Sequence, residues 1–166
     1  MTAPLLTFDE LLIWNDECSN FWRAHLDANP ALLALPCDIG GVASVQELVR
    51  HIWGADLRWA QRLARVPETP RDAMPAGPLA VLYDLHVQAT TIFRSLLDDP
   101  AQDWDATHTL DVSWLPPHAR TPSRRKVLGH ALFHSQRHWA QLATLVRAAG
   151  LPSQFRGDLL FSSALP

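Results

Sequence analysis

Hydrophobic residues recur at spacings of three and four in four separate stretches of the chain, the period of helices with one buried face. The first stretch runs from about Thr7 to Asp27 and carries Phe8, Leu11, Leu12, Cys18, Phe21 and Trp22 in that rhythm. Asn29-Pro30 ends it, because a residue before proline avoids helical backbone. The second opens at Ser44, where Glu47 three residues on completes a capping box. Val45, Leu48, Val49, Ile52, Trp59 and Leu63 make its apolar face, and Pro67 and Pro70 mark its end. The third lies between about Pro78 and Leu97, with Leu79, Leu82, Tyr83, His86, Phe93 and Leu96 in period and Asp98-Asp99-Pro100 after it. The fourth starts at Thr121 as N-cap, with Pro122 at the first helical position, where a missing amide costs nothing. It runs to Ala149, and Gly150 and Pro152 stop it.

Four such helices predict an all-α four-helix bundle, forming a single domain over residues 1–166. The connection from Ala101 to Arg120 is long enough to serve as a crossover, so the third and fourth helices need not be neighbours. Within it, Thr107 to Trp114 alternates as a strand does, and a short hairpin or extended flap is expected there. The tail beyond Gly150 holds Phe155, Leu159, Leu160 and Phe161, and should pack on the bundle or on a second subunit.

Composition narrows the function. Of 166 residues 48% are hydrophobic, enough for a real core, and the formal net charge is −3. Arg124, Arg125 and Lys126 form the densest basic run, which reads as a solvated turn, so no nucleic-acid partner is expected. Cys18 and Cys37 fit no CxxC pattern, which excludes a thiolate zinc site and argues against a disulfide framework. There is no basic leader segment and no apolar run near the roughly 20 residues that span a bilayer. The expectation is a cytoplasmic protein with no membrane partner. Seven tryptophans and the apolar tail exceed what one small bundle hides, which points to a homodimer.

The eight histidines carry the candidate chemistry. His130, His134 and His138 are spaced by four and share one side of the fourth helix. At about 100° per residue, Val127, Ala131, Gln141 and Leu145 fall near the direction of His134, while Arg125, Ser135 and Arg147 fall elsewhere. That direction is expected to be the core-facing stripe, where imidazole is a poor filler unless its nitrogens find partners. Burial also favours the neutral form that a metal needs. The His134–His138 pair supplies two nitrogens from adjacent turns, and His51, on the flank of the second helix's apolar face, is the best third ligand. One helix rarely aims three consecutive turns at one ion, so His130 is expected to support the site from behind the ligands. His86, on the core stripe of the third helix, is a candidate pocket residue. His25, His108 and His118 read as surface or loop residues.

The strings SVQELVRHIWGADLRWAQRL (44–63) and VLGHALFHSQRHWAQLATLVRAAG (127–150) resemble the DinB-like superfamily of four-helix-bundle metalloenzymes. The family pattern it resembles is a histidine, then His-x3-His, a short spacer, Gln and Leu-Arg-x-x-Gly. It implies a metal triad of His51, His134 and His138, with His130 a further histidine common in the family and Gln141 beside the ligands. The family's frequent His-Arg-Gly-Gln reads His138-Trp139-Ala140-Gln141 here.

Three neutral histidines leave a divalent ion with open positions, a catalytic rather than a structural arrangement. Nickel or zinc leads the choice of ion, with iron and manganese as the other candidates. An open position would take water, made more acidic by the ion, or the thiolate of a small substrate. The resemblance implies either a metal-dependent hydrolase or a low-molecular-weight-thiol S-transferase acting on a small molecule. No general base stands out: Asp56 reads as a solvated acid pointing partly away, and Glu47 as a helix cap. That absence leaves an alternative, a non-catalytic stress-response or small-molecule-binding module whose metal is structural. Trp53, Trp59 and Trp139 could line a pocket but at helical spacing read as core or interface.

Overall fold

The computed structural model describes residues 6–110, 115–151 and 153–164. Helix α1 covers Phe8–Ala28, α2 Val45–Ala64, α3 Leu79–Leu97 and α4 Arg124–Ala148. The predicted Ser44 cap forms in part, and the first helix carries a capping box of its own. Thr7 accepts from the Glu10 amide while the Glu10 carboxylate accepts from the Thr7 amide at 2.6 Å. Ser44 accepts from the Glu47 amide, but the Glu47 carboxylate reaches one residue further back, to the Ala43 amide at 2.7 Å.

Helix α4 starts two residues later than its sequence predicts. Ser123, not Thr121, is the N-cap, accepting from the Lys126 amide. The reason lies in the crossover. Residues 104–110 run antiparallel to 120–125, through His108 N to Pro122 O at 2.8 Å and Leu110 N to Arg120 O at 2.8 Å. Thr121 and Pro122 are thus held in extended pairing and cannot start the helix. The expected flap exists in this form; residues 111–114 of the predicted alternating run lie outside the described residues. The Arg124 side chain is not solvated as the basic run suggested: it is buried and donates to the Leu63 carbonyl at 2.7 Å, at the end of α2. Arg125 pairs with Asp105.

The helices pack as a four-membered bundle in which α2 touches both α3 and α4, and α1 does the same. Helices α3 and α4 therefore sit on a diagonal, as the long crossover allows. The core centres on Trp22, Trp53 and Trp139, all fully buried. The Trp139 ring stacks on Trp22 at 6.1 Å and meets Trp53 edge-on at 5.8 Å, tying α1, α2 and α4 together. The tail packs on α1, as expected: Phe155 lies 5.1 Å from the Trp22 ring, and the Trp14 indole donates to the Gly157 carbonyl at 3.0 Å.

One element goes beyond the sequence expectation. Strands β1 (Pro36–Ile39) and β2 (Val42–Ser44) form a small antiparallel hairpin before α2. Its turn is Gly40-Gly41, with φ of 65° and 76°, the left-handed pair that a two-residue hairpin turn needs. The turn lies on the histidine site: a β-carbon on Gly40 would stand 3.8 Å from Cε1 of His138.

Candidate metal centre

Helices α2 and α4 bring His51, His134 and His138 together. Their ring centroids are 5.1 Å apart for His51–His134, 5.0 Å for His51–His138 and 4.5 Å for His134–His138. Each ring offers a nitrogen, and the three nitrogens lie within 4.8 Å of one another. Among the described residues this is the one group of histidine, cysteine, aspartate or glutamate side chains so arranged. The donor set fits a divalent ion. Nδ1 of His134 and Nδ1 of His138 are buried without a hydrogen-bond partner, an arrangement that is costly unless something else meets such a ring. His138 Nε2 accepts from an Arg137 guanidinium nitrogen at 3.1 Å, since a guanidinium can only donate.

The buried face of α4 lies one sector away from the direction of His134. The buried residues of α4 are Arg124, Val127, Leu128, Ala131, Leu132, Ser135, His138, Trp139, Leu142 and Val146, a stripe centred near Ser135 rather than His134. Four residues turn a helix by about 400°, so each step of four drifts about 40° around the axis. His138 is therefore buried, His134 half-buried and His130 exposed, one row leaving the core as it climbs toward the N-terminus. This drift, more than any sequence rule about three turns, separates His130 from the pair. Its ring is 5.9 Å from His134 and stands edge-on to Trp59 at 4.9 Å.

The site holds its histidines neutral. Burial, then the His138 ring and Arg71, Arg137 and Arg58, lower the pKa of His51 to about 4. Burial, then its two histidine neighbours and Arg137, lower that of His134 to about 3. His130 and His138 shift the same way, from burial first and Arg137 second. Gln141, one turn beyond His138, hydrogen-bonds so as to oppose that shift.

Above the triad opens a cavity of about 570 Å³, within the range of small-molecule sites. His51, His130 and His134 line it, together with Trp59, Met74, Gly41 and Val42 of the hairpin, and Arg50, Arg58, Arg62, Arg71 and Arg137. The sequence reading missed these arginines. Arg50, Arg58 and Arg62 were visible as a helical face of α2, but Arg71 and Arg137 join them only through the fold.

His86 does not line this cavity. It is 1% exposed, and its Nε2 pairs with Asp16 on α1 at 2.9 Å. Of the three histidines read as surface or loop residues, His118 is exposed, while His25 is half-buried and stacked on Phe21. Trp53 and Trp139 are core, and Trp59 alone of the three reaches the cavity. Asp56 is the larger correction. It is not solvated but 1% exposed, and the Ser135 hydroxyl donates to its Oδ1 at 2.6 Å. Burial raises its pKa to about 6, against the pull of Ser135, His86 and Asn15. The signal was present: Asp56 sits between Ile52, Trp53, Trp59 and Ala60 in spacing, an acid inside an apolar face.

Among the described residues no helix is long and apolar enough to cross a membrane. A family model described as the DinB superfamily matches residues 20–142, which contain both α2 and the histidine row of α4. No curated protein matches the chain.

Proposed function

The chain belongs to the DinB superfamily, and we propose that it is a metal-dependent enzyme acting on a small molecule, either a hydrolase or a low-molecular-weight-thiol S-transferase. The observation that carries this is the three-histidine cluster, two of whose rings, His51 and His134, line a cavity, with no carboxylate or thiolate joining it among the described residues. His51, His134 and His138 would hold the ion, with nickel or zinc favoured over iron or manganese. A divalent ion held by three imidazoles supplies Lewis acidity to a water or thiol brought beside it. The chain's own residues do the rest. Burial and the surrounding arginines keep the three rings neutral. Trp59 and the Gly40-Gly41 turn wall the site, and His130 offers one further neutral imidazole to take up a proton.

The test is turnover by protein loaded with nickel or zinc, assayed with a thiol plus an electrophile such as chlorodinitrobenzene and with ester or amide substrates. Turnover that disappears in His134→Ala supports the reading. A second reading is a non-catalytic binding or stress-response module with a structural ion. What favours it is that no general base stands out beside the triad in the sequence, and Asp56, the acid on α2 five residues past His51, is committed to Ser135 inside the core. In that case a chelator would lower the melting temperature sharply, and neither assay would show turnover.

We also propose a homodimer, because the tail leaves Leu160 94% and Phe161 56% exposed while Phe155 and Gly157 pack on α1. Sedimentation showing only monomer at micromolar concentration would contradict this. Free, buried Cys18 and Cys37 suit a reducing compartment, and the cytoplasm is the proposed location.

A further inference from the structure

The chain is acidic overall, with 14 Lys and Arg against 17 Asp and Glu. Yet five of its arginines line the one cavity above the triad, with Glu47 the only carboxylate in that lining. Glu47 is turned to the Ala43 amide and does not neutralise them. The imidazoles of the site do not supply negative charge either. A cavity so lined carries a local positive field inside a negative protein, which draws in anions and repels cations.

The five arginines are not equally engaged. Arg50 is spent on architecture: it donates to the carbonyls of Pro75 at 3.0 Å and Met74 at 2.6 Å, stitching the loop after α2 to the helix. Arg58 and Arg62 share the Glu68 carboxylate at 3.4 and 2.5 Å, and the Arg62 guanidinium lies over the Trp59 ring at 4.5 Å. Arg71 and Arg137 form no ion pair among the described residues. They come from different elements, the loop after α2 and the α4 turn that carries His138, and face one cavity. Arg137 bonds only to a neutral ring nitrogen, leaving most of its five N–H groups for a ligand.

We infer that the cleft lined by His51 and His134 of the triad takes a small anionic substrate, whose carboxylate or phosphate group is held by Arg71 and Arg137. This rests on that cleft being the reaction centre proposed above. Guanidinium groups suit this role because their planar fork pairs with carboxylate or phosphate oxygens two at a time. The cavity's size and the chain's net negative charge fit a small molecule rather than a nucleic acid. The substrate's reacting end would lie toward the triad and its anionic end toward the two arginines, with the Trp59 face between them available to an apolar segment.

The test is calorimetric titration of the metal-loaded protein with succinate, with inorganic phosphate, and with succinamide as an uncharged analogue of the first. The two anions separate a carboxylate site from a phosphate site. At least one should bind, more weakly as salt is raised, and succinamide should not. Arg71→Gln should weaken that binding about tenfold with metal content unchanged, and Arg71→Lys should restore part of it. Arg137→Gln should weaken it similarly and serves as the second variant. Equal binding of succinamide, or anion binding unaffected by both glutamine variants, would overturn the inference. So would the absence of binding by either anion to protein carrying a full complement of ion. A preparation that retains no ion yet binds succinate through Arg71 would contradict the metal centre and leave the anion site standing.

Discussion

Ser135 and Asp56 meet in the centre of the bundle, hydroxyl to carboxylate at 2.6 Å, with both side chains closed off from water. The pair links α4 to α2 one residue past His134 and five past His51, so it braces the two helices that carry the triad. Asp56 Oδ2 has no partner, and burial leaves this acid with a pKa of about 6 against an ordinary 3.8. The folded state therefore binds a proton more tightly than the unfolded chain does. Stability contributed by this group is highest below pH 4 and falls as pH rises to about 6, by about 3 kcal/mol. Asp56→Asn, which cannot titrate, should lose that dependence and be no less stable at pH 7. Urea unfolding of both proteins at pH 4.5 and pH 7 would show it; parallel pH profiles would contradict it.

The triad pulls the other way with pH. His51 and His134 have folded-state pKa values of about 4 and about 3, below the 6.5 of a free ring. The unfolded chain thus takes up protons first, so their contribution is present above pH 6.5 and is lost as pH falls toward 4. For metal affinity the consequence is favourable. The rings need not shed protons near neutrality, so affinity should fall less between pH 7 and pH 5.5 than at a site of ordinary histidines. A metal titration at both pH values checks this, and a steep loss by pH 5.5 would count against the neutral triad.

His86 stands apart from the three histidines, His51, His130 and His134, that line the cavity. His86 is sealed between α3 and α1 on Asp16, whose pKa its hydrogen bond lowers. Asp16's contribution is therefore present above its ordinary value and fades as pH falls below it. His86→Leu should lower the melting temperature, costing about 1–3 kcal/mol through the unpaired partner, and leave the bound metal unchanged. Loss of the ion in this variant would place His86 in the site after all.

How much of this could be read from the chain alone depends on what each feature required. The four helices and the triad followed from period and spacing, because a strong apolar rhythm and a His-x3-His pair are local signals. The start of α4 did not. Thr121-Pro122 and Ser123 are both good openings, and only the pairing of 120–125 with 104–110 decides between them. The β1–β2 hairpin was legible in principle, since Gly40-Gly41 sits between Ile39 and Val42. Asp56 was read as solvated because acids usually are, although its neighbours at helical spacing are all apolar. The arginine-lined cleft was the least legible feature, as Arg71 and Arg137 are distant in sequence and meet only once α2 and α4 are in place. Trp139, where the family often has arginine, became a core residue stacked on Trp22.

The tail offers a local stability test. Phe155 packs on Phe21 at 5.3 Å and Trp22 at 5.1 Å and is half-buried. Phe155→Ala should cost about 1–2 kcal/mol, less than a fully buried phenylalanine because part of the ring already meets water. Denaturant unfolding gives the value, and a change below a few tenths of a kcal/mol would mean the tail does not hold to α1 in solution.

The central claim is that His51, His134 and His138 share one ion. The direct measurement is metal per chain, by inductively coupled plasma mass spectrometry, on purified wild type and His134→Ala after exposure to nickel or zinc. The account predicts about one ion per wild-type chain and loss of most of it in the variant, with the helical spectrum of the variant intact. A full, equal complement of ion in both proteins would contradict it.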